Sequence, residues 1–186
     1  MGKREDILAA TLDVVVDEGL PALSFSKIFD KAGVGAGTVY HYFPGKEALV
    51  LEVYQGVGAR MDQAVLAGYD ASAPLKTRFS QLLTGVTRYA LEYPRELAFL
   101  HSCSHSPSIP AEIRHRLTAG MHIALALFDE GRREGVFVEM PPMVALAVCT
   151  GAVSSLAEWV LAGKVEWDES LLGTVIEACW KGLSRP

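Results

Sequence analysis

Hydroxyl, phenol and imidazole side chains crowd one short stretch of the chain. Gly37-Thr38-Val39-Tyr40-His41-Tyr42 holds one hydroxyl, two phenols and one imidazole, and no acidic group. Such groups bond to phosphate oxygens and base edges, and a threonine methyl can touch thymine. Elsewhere the chemistry is sparse. The chain has no paired-carboxylate spacing, nucleophile elbow or HExxH, so no enzymatic reaction is expected. Gly33-x-Gly35-x-Gly37 imitates a dinucleotide loop, but Thr38 stands where Gly or Ala is required and no strand precedes it. His101, Cys103, His105, His115 and His122 are of metal-ligating type. The pentapeptide His101–His105 contains no carboxylate, so these residues read as a polar loop plus surface or core histidines. No metal and no other cofactor is expected.

Glycine and proline cut the chain into helix-length blocks. The pattern predicts helices over about 3–18, 25–32, 37–42, 46–67, 74–92, 94–101, 110–134, 142–163 and 168–183. Leu8, Leu12 and Val15 repeat at helical spacing in the first. Gly19 suits its C-terminal cap, Ser24 the N-cap of the second, and Gly33 the stop of the second. Residues 102–108 read as a loop. Alternation at Val136-Phe137-Val138 is too short to count as a strand. The expected fold is all-α with about nine helices. Three short helices precede a longer helical bundle, and the division falls at 1–47 and 48–186.

The 186 residues are 50% apolar and 21% charged, enough for one buried core or two small ones. Net charge is −5, which excludes a globally basic nucleic-acid coat but not a small reading face on an acidic body. Residues 1–50 hold five basic and seven acidic side chains. DNA affinity must therefore come from placement, with Lys3, Arg4, Lys27 and Lys46 toward DNA and Asp13, Asp17 and Glu18 away. Three scattered cysteines and no CxxC support neither a disulfide framework nor a zinc finger. The charged N-terminus lacks a signal-peptide core, which points to the cytoplasm. Residues 143–163 carry one charge, Glu158, and are long enough to span a bilayer. Thr150, Gly151, Ser154 and Ser155 interrupt them and no basic cluster flanks them. The expectation is no membrane, but a helix covered by its own core and by a partner chain.

Helices over 25–32 and 37–42, joined after the Gly33 stop by the three-residue turn Val34-Gly35-Ala36, have helix-turn-helix dimensions, with Val34, Ile28, Val39 and Phe43 as their small core. Ile7-Leu8-x-Ala10-x-Leu12, Gly19, Ile28, Ala32-Gly33-Val34, Gly37-Thr38-Val39-Tyr40-x-Tyr42-Phe43 and Lys46-Glu47-x-Leu49 together resemble the N-terminal signature of TetR-family transcriptional repressors. The resemblance covers about the first 50 residues. It implies an all-helical regulatory domain behind them, whose last two helices usually dimerise. It also implies DNA-contacting roles: Ser24, Ser26 and Lys27 on phosphate at the second helix, Ala36, Gly37, Thr38, Tyr40 and His41 in the major groove, and Tyr42 and Lys46 on phosphate. Gly35 departs from a usual Ser, Phe29 from a usual Ala and Val15 from a usual aromatic. Phe29 would fill the volume given up at Val15.

The expected partners follow: double-stranded DNA with a palindromic operator, a small-molecule effector and a second copy of the chain. Large apolar side chains exceed what a thin bundle needs. A ligand site is expected among Phe79, Leu83, Tyr89, Phe99, Met121, His122, Phe128, Glu158 and Trp159. The effector should be apolar or amphipathic, of drug-like or acyl-chain size, and should release DNA. The dimer interface is expected at Gly151, Ser154, Ser155, Leu172, Val175, Ile176, Cys179 and Trp180. The rival reading is a small-molecule-binding or interaction module whose helix-turn-helix is vestigial.

Overall fold

The computed structural model describes residues 2–104, 106, 109–110 and 118–185. Among these the chain is all-α, with nine helices, a 3-10 turn and one isolated bridge, Phe137 to Ser184. It divides into two compact units, Met1–Arg60 with Tyr93–Arg116, and Met61–Glu92 with Leu117–Pro186.

The first unit holds α1 (Lys3–Glu18), the 3-10 turn Leu20–Ala22, α2 (Phe25–Ala32), α3 (Ala36–Tyr42), the part of α4 (Lys46–Leu66) up to Arg60, and α6 (Pro94–Ser104). Ile7, Val14, Ile28, Val39, Phe43, Leu49 and Phe99 form its core. Backbone conformation sets the breaks. Gly19 ends α1 at φ 86° and Gly33 ends α2 at φ 64°, a left-handed state that costs other residues energy. The Ser24 hydroxyl accepts from the Lys27 amide at 3.5 Å and caps α2.

The second unit holds the rest of α4, α5 (Leu75–Glu92), α7 (Ala119–Arg133), α8 (Pro142–Leu161) and α9 (Glu169–Leu183). Phe79, Phe128, Phe137 and Trp180 meet at ring-centroid distances of 5.1–6.2 Å in its core. Two close approaches require glycine. A Cβ on Gly85 would lie 2.6 Å from the Val65 carbonyl oxygen, so α5 meets α4 backbone to backbone. A Cβ on Gly131 would strike the Phe137 ring.

Two sequence expectations change. Residues 102–104 are helical and extend α6, instead of opening a loop. The helix expected over 110–134 is not continuous. Thr118 is extended (φ −72°, ψ 166°) and its hydroxyl accepts from the Met121 amide at 3.3 Å, so α7 starts afresh at Ala119. Residues 111–117, with His115, and likewise His105, lie outside the described residues.

Candidate functional site

The α2–turn–α3 segment is built so that one side of α3 is sealed and the other is open. Val39 is fully buried beside Ile28 and Phe43. Ala36, Gly37, His41 and Tyr42 are exposed, and Thr38 is half-buried. Tyr40 is 56% exposed, yet its ring is not loose: it packs edge-on against Phe25 at 4.9 Å and Phe29 at 6.2 Å. Phe25 and Phe29 stack at 5.9 Å. Phe29 is thus half-buried on a small aromatic platform under Tyr40. The ring of His41 meets that of Tyr42 edge-on at 5.1 Å. This surface presents hydroxyls, an imidazole and methyl groups without an acid, which suits phosphates and base edges.

Two of the four cations expected toward DNA are ion-paired within the protein. Lys27 is tied to Glu18 at 2.6 Å, and Arg4 pairs with Glu52 and lies over the Phe43 ring at 5.7 Å. Asp17 is held by Lys31 at 2.8 Å and by Arg95 at 2.9 Å, and Arg95 also takes Asp13 at 2.7 Å. Hydrogen bonds from Lys31 and Arg95 hold the Asp17 carboxyl below its ordinary value of 3.8. Among the described residues Lys3 and Lys46 have no ion pair, and Lys46 is exposed. Ser26 is exposed, its hydroxyl 3.1 Å from that of Ser24.

The second unit holds a partly open cavity of about 230 Å³. Phe79, Leu83, Met121 and Phe128 line it, as their helical stripes suggest. Five further expected ligand residues do not. Phe99 is fully buried in the first unit's core, and Tyr89 is buried outside the cavity wall. His122, Glu158 and Trp159 are exposed on the far sides of α7 and α8. Leu82 and Val86, on the same apolar stripe as Phe79 and Leu83, line it too, but sequence reasoning missed the polar Asp62, Thr118 and Thr150 and the apolar Val65 and Leu146. Asp62 carried no local signal, because its partners lie 57 and 58 residues away, where its carboxylate accepts from the Ala119 amide at 2.8 Å and the Gly120 amide at 3.0 Å.

Helix α8 is two-faced. Ala145, Cys149, Val153 and Leu156 are buried, while Val144, Val148, Gly151, Ser155 and Trp159 form an exposed stripe and Ser154 is half-buried. By length and composition α8 is long and apolar enough to cross a membrane. The α9 residues expected at a dimer contact turn inward. Leu172, Ile176 and Cys179 are buried in the unit's own core, Val175 packs against it, and Trp180 meets Phe79 edge-on at 5.3 Å and Phe137 edge-on at 5.1 Å. Burial pushes the Cys149 thiol up to about 12, and that of Cys103, in the first unit's core, also up to about 12. Such thiols are poor nucleophiles and poor ligands.

Comparison with known proteins covers both units. The family described as bacterial regulatory proteins, tetR family, matches residues 7–53. The family described as tetracyclin repressor-like, C-terminal domain, matches residues 54–185. The transcriptional activator FasR of Mycolicibacterium smegmatis is 24% identical over 98% of this chain and 84% of its own length. The transcriptional repressor KstR of the same organism is 34% identical over 36% of this chain and 34% of its own. A solved TetR-family regulator from Vibrio parahaemolyticus is 30% identical, covers 100% of both chains and superposes with a TM-score of 0.83.

Proposed function

The chain belongs to the TetR family of bacterial DNA-binding transcriptional regulators and is not an enzyme, and from that premise we propose that it is a homodimeric repressor whose operator is palindromic and whose release is driven by a small apolar effector. Residues 1–47 carry DNA reading and 48–186 carry regulation and dimerisation. On the DNA, Ala36, Gly37, Thr38, Tyr40 and His41 face bases, and Ser24, Ser26, Lys27, Tyr42 and Lys46 face phosphates. The solvent-open side of α3, with its aromatic support beneath Tyr40, favours this assignment. Such a regulator works in the bacterial cytoplasm.

The observation that carries the effector reading is the cavity of about 230 Å³ inside the second unit. It is larger than a roughly 150 Å³ apolar cavity that admits benzene and smaller than the roughly 300–1,000 Å³ of sites for drug-sized molecules. The effector is therefore compact, on the scale of a substituted benzene or a short acyl chain, and held mainly by burial. It acts by preferring the conformation that does not bind DNA, because equal affinity for both states shifts nothing. The named relatives include an activator and a repressor. Repression is favoured by the economy of that scheme, in which the ligand only has to select the released state.

Selection of binding sites from random duplex DNA tests this reading. A recovered palindrome, bound in a salt-dependent way and released by a compact apolar molecule, is the expected result. No enriched sequence, with small-molecule binding intact, would establish the module with a vestigial helix-turn-helix.

A further inference from the structure

The side chains of the cavity wall are apolar except for Asp62, Thr118 and Thr150. The hydrogen-bonding capacity left at those groups can be counted. Asp62 Oδ2 accepts from the Ala119 amide and Oδ1 from the Gly120 amide, while Thr118 Oγ1 accepts from the Met121 amide. The first three amides of α7 are thus all engaged by the protein. The positive end of that helix, which would otherwise hold an anion, is already taken by a carboxylate. A Cβ on Gly120 would lie 2.9 Å from Asp62 Oδ1, at the end of that side chain, so the glycine leaves the carboxylate room. Thr150 donates its proton to the Leu146 carbonyl at 2.8 Å, which leaves only lone pairs on its oxygen. An ionised Asp62 likewise retains only lone pairs. Among the described lining residues there is no Lys, Arg or His. Apart from the Thr118 hydroxyl proton, what the wall offers an incoming polar group is acceptors.

We propose that the cavity selects a compact apolar molecule bearing a hydrogen-bond donor, a hydroxyl or an ammonium, over the acid of the same skeleton, and that Asp62 is the residue that reads the donor. The proposal rests on the effector reading above and sharpens it. A carboxylate ligand would set a second negative charge beside Asp62 and could make no use of the spare lone pairs, whereas a donor can bond to them.

Calorimetric titration of the full chain with 3-phenylpropan-1-ol, 3-phenylpropylamine, propylbenzene and 3-phenylpropanoate at pH 7 tests it. The alcohol and the amine should bind at least about tenfold more tightly than the acid, with propylbenzene between. In Asp62→Asn, which keeps the size and one acceptor oxygen, the amine should lose its advantage and the acid should gain, with propylbenzene unchanged. Leu146→Trp, at a half-buried wall position, should abolish binding of all four and so fix the location. Acid binding as tight as that of the alcohol overturns the donor rule and leaves the effector cavity standing. A preference unchanged in Asp62→Asn overturns the role of Asp62. Binding of none of the four, propylbenzene included, overturns the cavity reading itself and this proposal with it. The wild-type series decides the donor rule even if Asp62→Asn loses its fold.

Discussion

Tyr40 joins two jobs in one side chain, since its ring packs on Phe25 and Phe29 while more than half of it stays exposed. The two can be separated. Tyr40→Phe keeps the ring on its platform and removes the hydroxyl, so operator affinity should fall by about 0.5–1.5 kcal/mol with the melting temperature unchanged. Anisotropy titration against the selected operator and thermal unfolding check this, and unchanged affinity would remove Tyr40 from the contact set. Lys46 and Lys27 make a second contrast. Lys46 has no ion pair among the described residues, so Lys46→Ala should flatten the salt dependence by about one unit per subunit. Lys27 must first leave Glu18, so Lys27→Ala should flatten it less. Equal slopes for the two variants would count against this ranking. The exposed face of α3 was legible from residue types, but the cation pairing was not. Lys27 and Glu18 are nine residues apart, and they meet only because α2 packs on α1.

At the scale of elements, punctuation was legible wherever one residue supplies it. Ser24, Gly19 and Gly33 cap and stop their helices through their own hydroxyl or their own φ. The start of α7 was hidden because its full cap needs Asp62, from another helix, as well as Thr118. The inward turn of Leu172, Ile176 and Cys179 was hidden for a related reason. A run of apolar residues shows that a helix buries a face, not whether its own core or a partner covers it. Gly85 shows how tightly these contacts are set. In Gly85→Ala the new methyl meets the Val65 carbonyl oxygen at 2.6 Å, and neither backbone can step aside cheaply. The variant should lose about 1–3 kcal/mol of stability in denaturant unfolding. Because Val65 and Val86 line the cavity, ligand affinity should change with it. A variant as stable as the parent would show that α4 and α5 are free to slide.

For the whole molecule, the exposed stripe of α8 must be weighed against its cost in water. Val144, Val148 and Trp159, about half exposed each, surround Gly151 and Ser155 on a helix roughly 30 Å long by its 1.5 Å rise per residue. A soluble protein seldom leaves so long an apolar strip uncovered unless something binds there. A second copy of the same helix would satisfy it under two-fold symmetry, since the same patch would then serve both sides. Gly151 lies at the centre and has nothing within 4 Å of a would-be Cβ, so Gly151→Arg is harmless within one protomer. Across a two-fold contact the same guanidinium would be buried without a partner, at a cost of several kcal/mol, on the order of 3–5. Sedimentation velocity at micromolar concentration should therefore show a dimer for the wild type and a folded monomer for Gly151→Arg. Circular dichroism of the two should match. Affinity for a palindromic operator should fall steeply in the variant, because each half-site would then be bound alone, while affinity for an isolated half-site stays the same. A variant that remains dimeric would move the interface away from α8, and a wild-type monomer would leave the apolar stripe to some other partner.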